Sequence, residues 1–171
     1  MVSIQTFIAV GSAILAAATT ASAAYPAARI NAVKRVENIC GTMPAPGIRK
    51  PAEGDTIIYT AEQQKNYDPA IFEVIYCSGD YFKTASLNAT ALLGDSTSTG
   101  MIIGSASNPT PGVASAGYYG YVFNVSVGPI SGNYITGSKK LSVFEWERGY
   151  YNAYNFNVKS VTINFEKEAT N

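Results

Sequence analysis

The chain has 171 residues, 12 basic and 12 acidic side chains and no histidine, a length that points to one domain. Without imidazole there is no Ser-His-Asp triad, Cys-His pair, His-ligated zinc or histidine-brace copper site, and a pH switch loses its commonest agent. The longest cationic runs are the pairs Lys34-Arg35, Arg49-Lys50 and Lys139-Lys140, so nucleic acid finds no electrostatic footprint.

Residues 1–23 have the layout of a secretory signal peptide: an apolar run from Phe7 to Ala18, then small residues ending Ala21-Ser22-Ala23. The run is shorter than the ~20 residues a spanning helix needs. Residues 1–23 carry no Lys or Arg, and an uncleaved membrane anchor is the alternative. The expected product is secreted, extracellular or wall-associated, with no membrane insertion after cleavage. The C-terminal Glu166–Asn171 is polar and offers no apolar tail for a lipid-anchor signal. Lys34-Arg35 closes a small-residue stretch, and dibasic cleavage there would remove residues 24–35 as a propeptide. That cut would leave Val36 as the N-terminus and, by taking Arg29, Lys34 and Arg35, make the product acidic. The other reading is a simple leader into the first strand. Residues 36–171 form the predicted domain.

Cys40 and Cys77 are the only cysteines. In an oxidising compartment an even pair reads as a disulfide, with two free buried thiols as the alternative.

From residue 55 onward the pattern has period two. Candidate strands are Asp55–Thr60, Ile71–Cys77, the run around Leu87–Leu93, Met101–Gly104, Tyr121–Val127, Leu141–Arg148 and the stretch from Phe156 to Phe165. Ile71–Tyr76, apolar on both faces, is expected to be central. Turn signals separate these strands, among them Pro44–Gly47, Ser78-Gly-Asp80, Gly94-Asp95, Asn108–Gly112 and Ser131-Gly-Asn133. No segment after residue 23 carries a helical period with caps. The apolar face changes phase between Phe156/Val158 and Val161/Ile163/Phe165, which predicts a bulge near Ser160. The pattern predicts an all-β fold: a single antiparallel, immunoglobulin-like β-sandwich of seven or eight strands, with a closed barrel as runner-up. Gly94–Gly117, rich in Gly, Ser, Thr, Ala and Pro, reads as a long surface excursion, either a binding loop or a connection without a role.

Two sequons, Asn88-Ala-Thr90 and Asn124-Val-Ser126, place their asparagines on the polar faces of predicted strands, so both are candidate glycosylation sites. Aromatic residues cluster at Tyr118, Tyr119 and Tyr121, and again at Trp146, Tyr150, Tyr151, Tyr154 and Phe156. Exposed rings would make a platform on which sugars stack through their C–H faces; buried ones would fill the core. The predicted hairpin loop Arg148–Asn155 makes Trp146, Tyr150, Tyr151 and Tyr154 the ligand-binding candidates, since adjacent tyrosines in a loop cannot easily both point inward. Glu145 and Glu147 share one strand face at a spacing of roughly 6–7 Å, compatible with a glycosidase pair, and that face is expected to be leaving the core for solvent. Asp55, Asp68, Asp80 and Asp95 lie at or near turns without calcium-ligand spacing, and no cofactor motif is present.

Met43-Pro-Ala-Pro-Gly47 followed by Pro51-Ala-Glu-Gly-Asp-Thr56, leading into a strand, resembles the opening of small secreted fungal proteins with an immunoglobulin-like sandwich, wall-associated or effector-like. The resemblance covers about 20 turn residues. It implies an extracellular or wall-associated module and transfers no catalytic residue. Three functions are therefore carried forward: a non-enzymatic module for cell-wall or host polysaccharide, a secreted effector or toxin-like protein binding an extracellular partner protein, and a glycosidase using Glu145 and Glu147.

Overall fold

The computed structural model describes residues 38–41, 45–78, 85–97, 100–115 and 118–169. The predicted signal peptide, the 24–35 leader with Lys34-Arg35, and Asp80 lie outside the described residues.

Elements follow in the order β1 (Gly47–Lys50), β2 (Thr56–Tyr59), α1 (Ala61–Asn66), β3 (Ala70–Cys77), β4 (Ala85–Gly94), β5 (Met101–Ala106), β6 (Gly120–Val127), β7 (Gly137–Arg148), a 3-10 turn (Tyr150–Asn152) and β8 (Tyr154–Lys167). They make two sheets, β1-β3-β6 and β2-β8-β7-β4-β5, so the fold is all-β and β3 is the central strand of its sheet. Strand alternation turns Val74, Tyr76, Tyr121, Val125 and Val127 of the small sheet toward Ala89, Ala91, Leu93, Leu141, Val143, Ile163 and Phe165 of the large one, in a single core. Burying each large side chain contributes roughly 1.5–3 kcal/mol. Gly104 of β5 lies against β6, where an added Cβ would sit 2.8 Å from Val125 Cγ1.

Several expectations are corrected. The strands are not all antiparallel: β2 runs parallel to β8, Thr56 opposite Asn164. β1, which opens with the last residue of an expected turn, pairs with β3. A helix, α1, follows β2. Its Thr60 Oγ1 accepts from Gln63 N (3.2 Å) while Gln63 Oε1 accepts from Thr60 N (2.9 Å), a capping box. Left-handed Tyr67 (φ 59°) ends the helix.

No bulge occurs near Ser160. β7 and β8 stay in register from Gly137↔Phe165 to Arg148↔Tyr154 without a shift. The phase change is therefore a change of which face is apolar, since an unbulged strand sends even and odd residues to opposite sides throughout. A bulge does occur in β4, between Ser86 and Asn88.

The Cys40–Cys77 disulfide is present. With its two cysteines 37 positions apart in sequence, loop closure contributes about 4 kcal/mol in the chain-entropy model. Part of the Gly94–Gly117 stretch is structural: β5 pairs with β4, and Val113 is buried against the disulfide. Cys40 N donates to Val113 O (3.0 Å) and Asn38 N to Gly112 O (2.7 Å). Gly120 is required beside this cluster, because a Cβ there would meet Val113 Cγ1 at 2.5 Å and Cys40 Sγ at 3.0 Å.

Candidate functional site

β7, β8 and the turn that joins them carry the four predicted platform residues and the glutamate pair, and the unbroken pairing decides which side each strand residue takes. On β7, Leu141 and Val143 are core residues, so the alternation carries Glu145 and Glu147 inward with them. It turns Phe144 and Trp146 outward. On β8, Val161, Ile163 and Phe165 lie on the inner side, and Tyr154, Phe156, Val158 and Ser160 on the outer side.

The two carboxylates do not leave the core for solvent, as their pattern suggested. Glu145 is 0% exposed and Glu147 4%. Burying a carboxylate is unfavourable unless donors surround it, and the sequence brings them from three other strands. Tyr76 Oη of β3 donates to Glu145 Oε2 at 2.7 Å. Ser86 Oγ of β4 donates to Glu145 Oε1. Ser86 Oγ in turn accepts from Tyr121 Oη of β6 at 2.5 Å. Glu147 Oε1 accepts from Asn157 Nδ2 of β8 at 2.7 Å. Burial pushes the Tyr76 hydroxyl well above its ordinary range, and the Glu145 charge adds to the shift. Burial likewise raises Tyr121 to about 12, against the opposing Ser86 hydrogen bond. Both phenols are thus held as neutral donors. The arrangement binds the two sheets together through one carboxylate.

The aromatic residues are placed differently. Trp146 and Phe156 are register partners on the outer face, their rings 5.9 Å apart, and Phe156 lies 6.4 Å from Phe144 in a stacked arrangement. Tyr154 continues the row opposite Arg148. At the hairpin tip Tyr150 and Tyr151 meet edge to face at 4.3 Å. The tip is closed by Gly149 N donating to Ala153 O at 2.7 Å. Its two left-handed residues are Tyr151 (φ 64°) and Asn152 (φ 60°). All four predicted platform residues are exposed, from 45% at Trp146 to 88% at Tyr151. Tyr121, from the other predicted cluster, is instead fully buried.

Two clefts flank the row. One, of about 450 Å³, is lined by Thr97, Phe144, Phe156, Val158 and Ser160. The other, of about 300 Å³, is lined by Asn88, Thr90, Ser105, Ala106, Ser107 and Trp146. A third, of about 380 Å³, lies at Leu93, Met101, Ile130 and Ile135, with the Lys139–Asp95 ion pair (2.7 Å) at its rim. Neither glutamate lines any of the three. Of the sequon asparagines, Asn88 faces the second cleft and Asn124 is exposed on β6. The turn aspartates are scattered: Asp55 accepts from Ala52 N (2.7 Å), Asp95 pairs with Lys139, and Asp68 lends its carbonyl to Tyr134 Oη (3.1 Å).

Sequence reasoning missed Phe144 and Val158 as outer-face residues, and Tyr76, Ser86 and Tyr121 as partners of Glu145. The phase change in β8, read without a bulge, is the signal that would have found the first pair.

No protein-family model matches the chain, and no curated protein does.

Proposed function

We propose that the protein is a secreted, non-enzymatic binding module, an immunoglobulin-like β-sandwich whose ligand is a cell-wall or host polysaccharide. The observation that carries this reading is the outward row Tyr154, Phe156 and Trp146 on an unshifted two-strand ribbon, extended by Tyr150 and Tyr151 at its end. Large apolar residues gathered on one exposed face are uncommon on a protein that meets only water. Aromatic rings on a flat sheet suit a ligand that is itself extended and presents C–H faces, and the tyrosine hydroxyls meet its polar edges. The disulfide and the resemblance of residues 43–56 to small secreted fungal proteins support an extracellular setting.

The test is to incubate the purified protein with insoluble chitin, β-glucan, cellulose and mannan, measuring depletion from solution and sugar released. Depletion by one of them without release is the expected result, and Y150A and Y151A should each weaken it. Unchanged depletion in both variants would overturn the platform. Absence of depletion from all four would favour a partner protein as the ligand, and released sugar would return attention to Glu145 and Glu147.

A further inference from the structure

The polar cleft beside Trp146 has an occupant written into its own wall. Asn88 and Thr90, first and third residues of a sequon, both line it, together with Ser105, Ala106, Ser107 and Trp146. The β4 bulge produces this arrangement. Ser86 lies opposite Glu147 and Asn88 opposite Trp146, so the extra residue Leu87 turns Asn88 outward. With regular pairing from Ser86, Asn88 would instead oppose Glu145 and point into the core. Direct register partners hold their Cβ atoms roughly 4.5–5.5 Å apart, which sets the Asn88 amide next to the indole. At about 300 Å³ the cleft falls at the lower end of the range for small-ligand sites. It offers one aromatic wall for an apolar sugar face and three hydroxyl side chains for the sugar's polar groups.

The second sequon is a natural control. Asn124 lies on the edge strand β6 opposite Glu73, which is engaged with Lys50 at 3.1 Å. Its neighbours on that face of β3 and β6, among the described residues, are Ile71, Ile75, Val122 and Ser126, none of them aromatic.

We propose that Asn88 carries an N-linked glycan whose first N-acetylglucosamine lies in this cleft against Trp146, so that the modification packs as part of the sheet's outer face. In the attachment, Asn88 Nδ2 bonds to C1 of the sugar as the bond from C1 to a lipid-pyrophosphate donor breaks. The lipid pyrophosphate leaves with the electron pair, and the amide gives up one proton. The glycan then covers the β4 side of Trp146, while Phe156, Tyr154 and the hairpin tip stay open to other ligands. The inference does not rest on polysaccharide binding.

Trp146 is the only tryptophan in the chain, so its emission reports this cleft alone. The full chain would be secreted from a eukaryotic host, its sequons assigned by peptide mass spectrometry, and tryptophan quenching by acrylamide compared among wild type, N88Q and N124Q. Glycan at Asn88 is expected, with quenching rising roughly twofold in N88Q and unchanged in N124Q, as removal of a cover from one ring face requires. Trimming the folded wild type back to the first sugar should leave the protection in place. Should N88Q fail to fold, T90A and enzymatic release of the glycan from the folded wild type give the same comparison. An unmodified Asn88, equal quenching with and without its glycan, or loss of protection on trimming to the first sugar would each overturn the proposal.

Discussion

A carboxylate enclosed between two sheets costs several kcal/mol to desolvate unless its oxygens are met by donors. Glu145 meets that condition through Tyr76 and Ser86, and Tyr121 completes the chain of hydroxyls. Truncation would strand those buried donors, so E145A is expected to destabilise by about 3 kcal/mol. E145Q keeps an acceptor oxygen and has the same shape, and should lose about half as much. Urea midpoints at constant slope would check both, and equal stability of E145A and wild type would refute the structural role. Tyr151 poses the opposite case, because its left-handed backbone (φ 64°) is unfavourable for a side chain with a Cβ and its ring is exposed. Y151G should therefore raise stability by up to about 1 kcal/mol while lowering depletion by the polysaccharide. A variant that gained stability and kept full binding would remove Tyr151 from the platform.

β8 shows at the level of one element what periodicity can and cannot convey. Its inner residues Ile163 and Phe165 are fully or almost fully buried, and its outer residue Phe156 is 60% exposed. F165A is expected to cost about 3–5 kcal/mol, whereas F156S should stay within about 0.5 kcal/mol of wild type and weaken binding. Comparable losses from both, measured by denaturant unfolding, would mean that Phe156 is a core residue. The period-two runs made most of the strands legible, together with the disulfide and the hairpin carrying Tyr150 and Tyr151. The assumption that apolar residues always return to the core made the rest opaque. It predicted a bulge near Ser160 where the pairing is regular, and it sent Glu145 and Glu147 outward although Leu141 and Val143 share their phase. Six-residue α1 is too short to show a helical period, yet Thr60-Ala-Glu-Gln63 spelled its capping box. Parallel pairing of β2 with β8 joins residues more than 100 positions apart, and no local pattern encodes such a partner.

Across the whole molecule the core is unusual in its phenols. Tyr59, Tyr76 and Tyr121 are all fully buried, with Tyr121 in the carboxylate cluster. Tyr59 packs 4.4 Å from Tyr134 and 5.9 Å from Phe165. Burial raises Tyr59 to about 12, with a smaller contribution from Tyr134, and raises Tyr121 to the same value. Unfolded tyrosine ionises near 10. Between these values the unfolded chain releases protons that the folded one retains, so the folded state loses stability as pH rises. The contribution of both groups is fully present below about pH 10 and is lost as pH passes through 12. Melting temperature followed by circular dichroism should be level below that window and fall steeply within it. Y59F removes one of the linked protons and should flatten the fall. Because Tyr59 Oη has no hydrogen-bond partner among the described residues, this variant should also keep or gain stability at neutral pH. A melting temperature that stayed level through the window, or fell as steeply in Y59F as in the wild type, would show that the buried phenols do not set the alkaline limit of the fold.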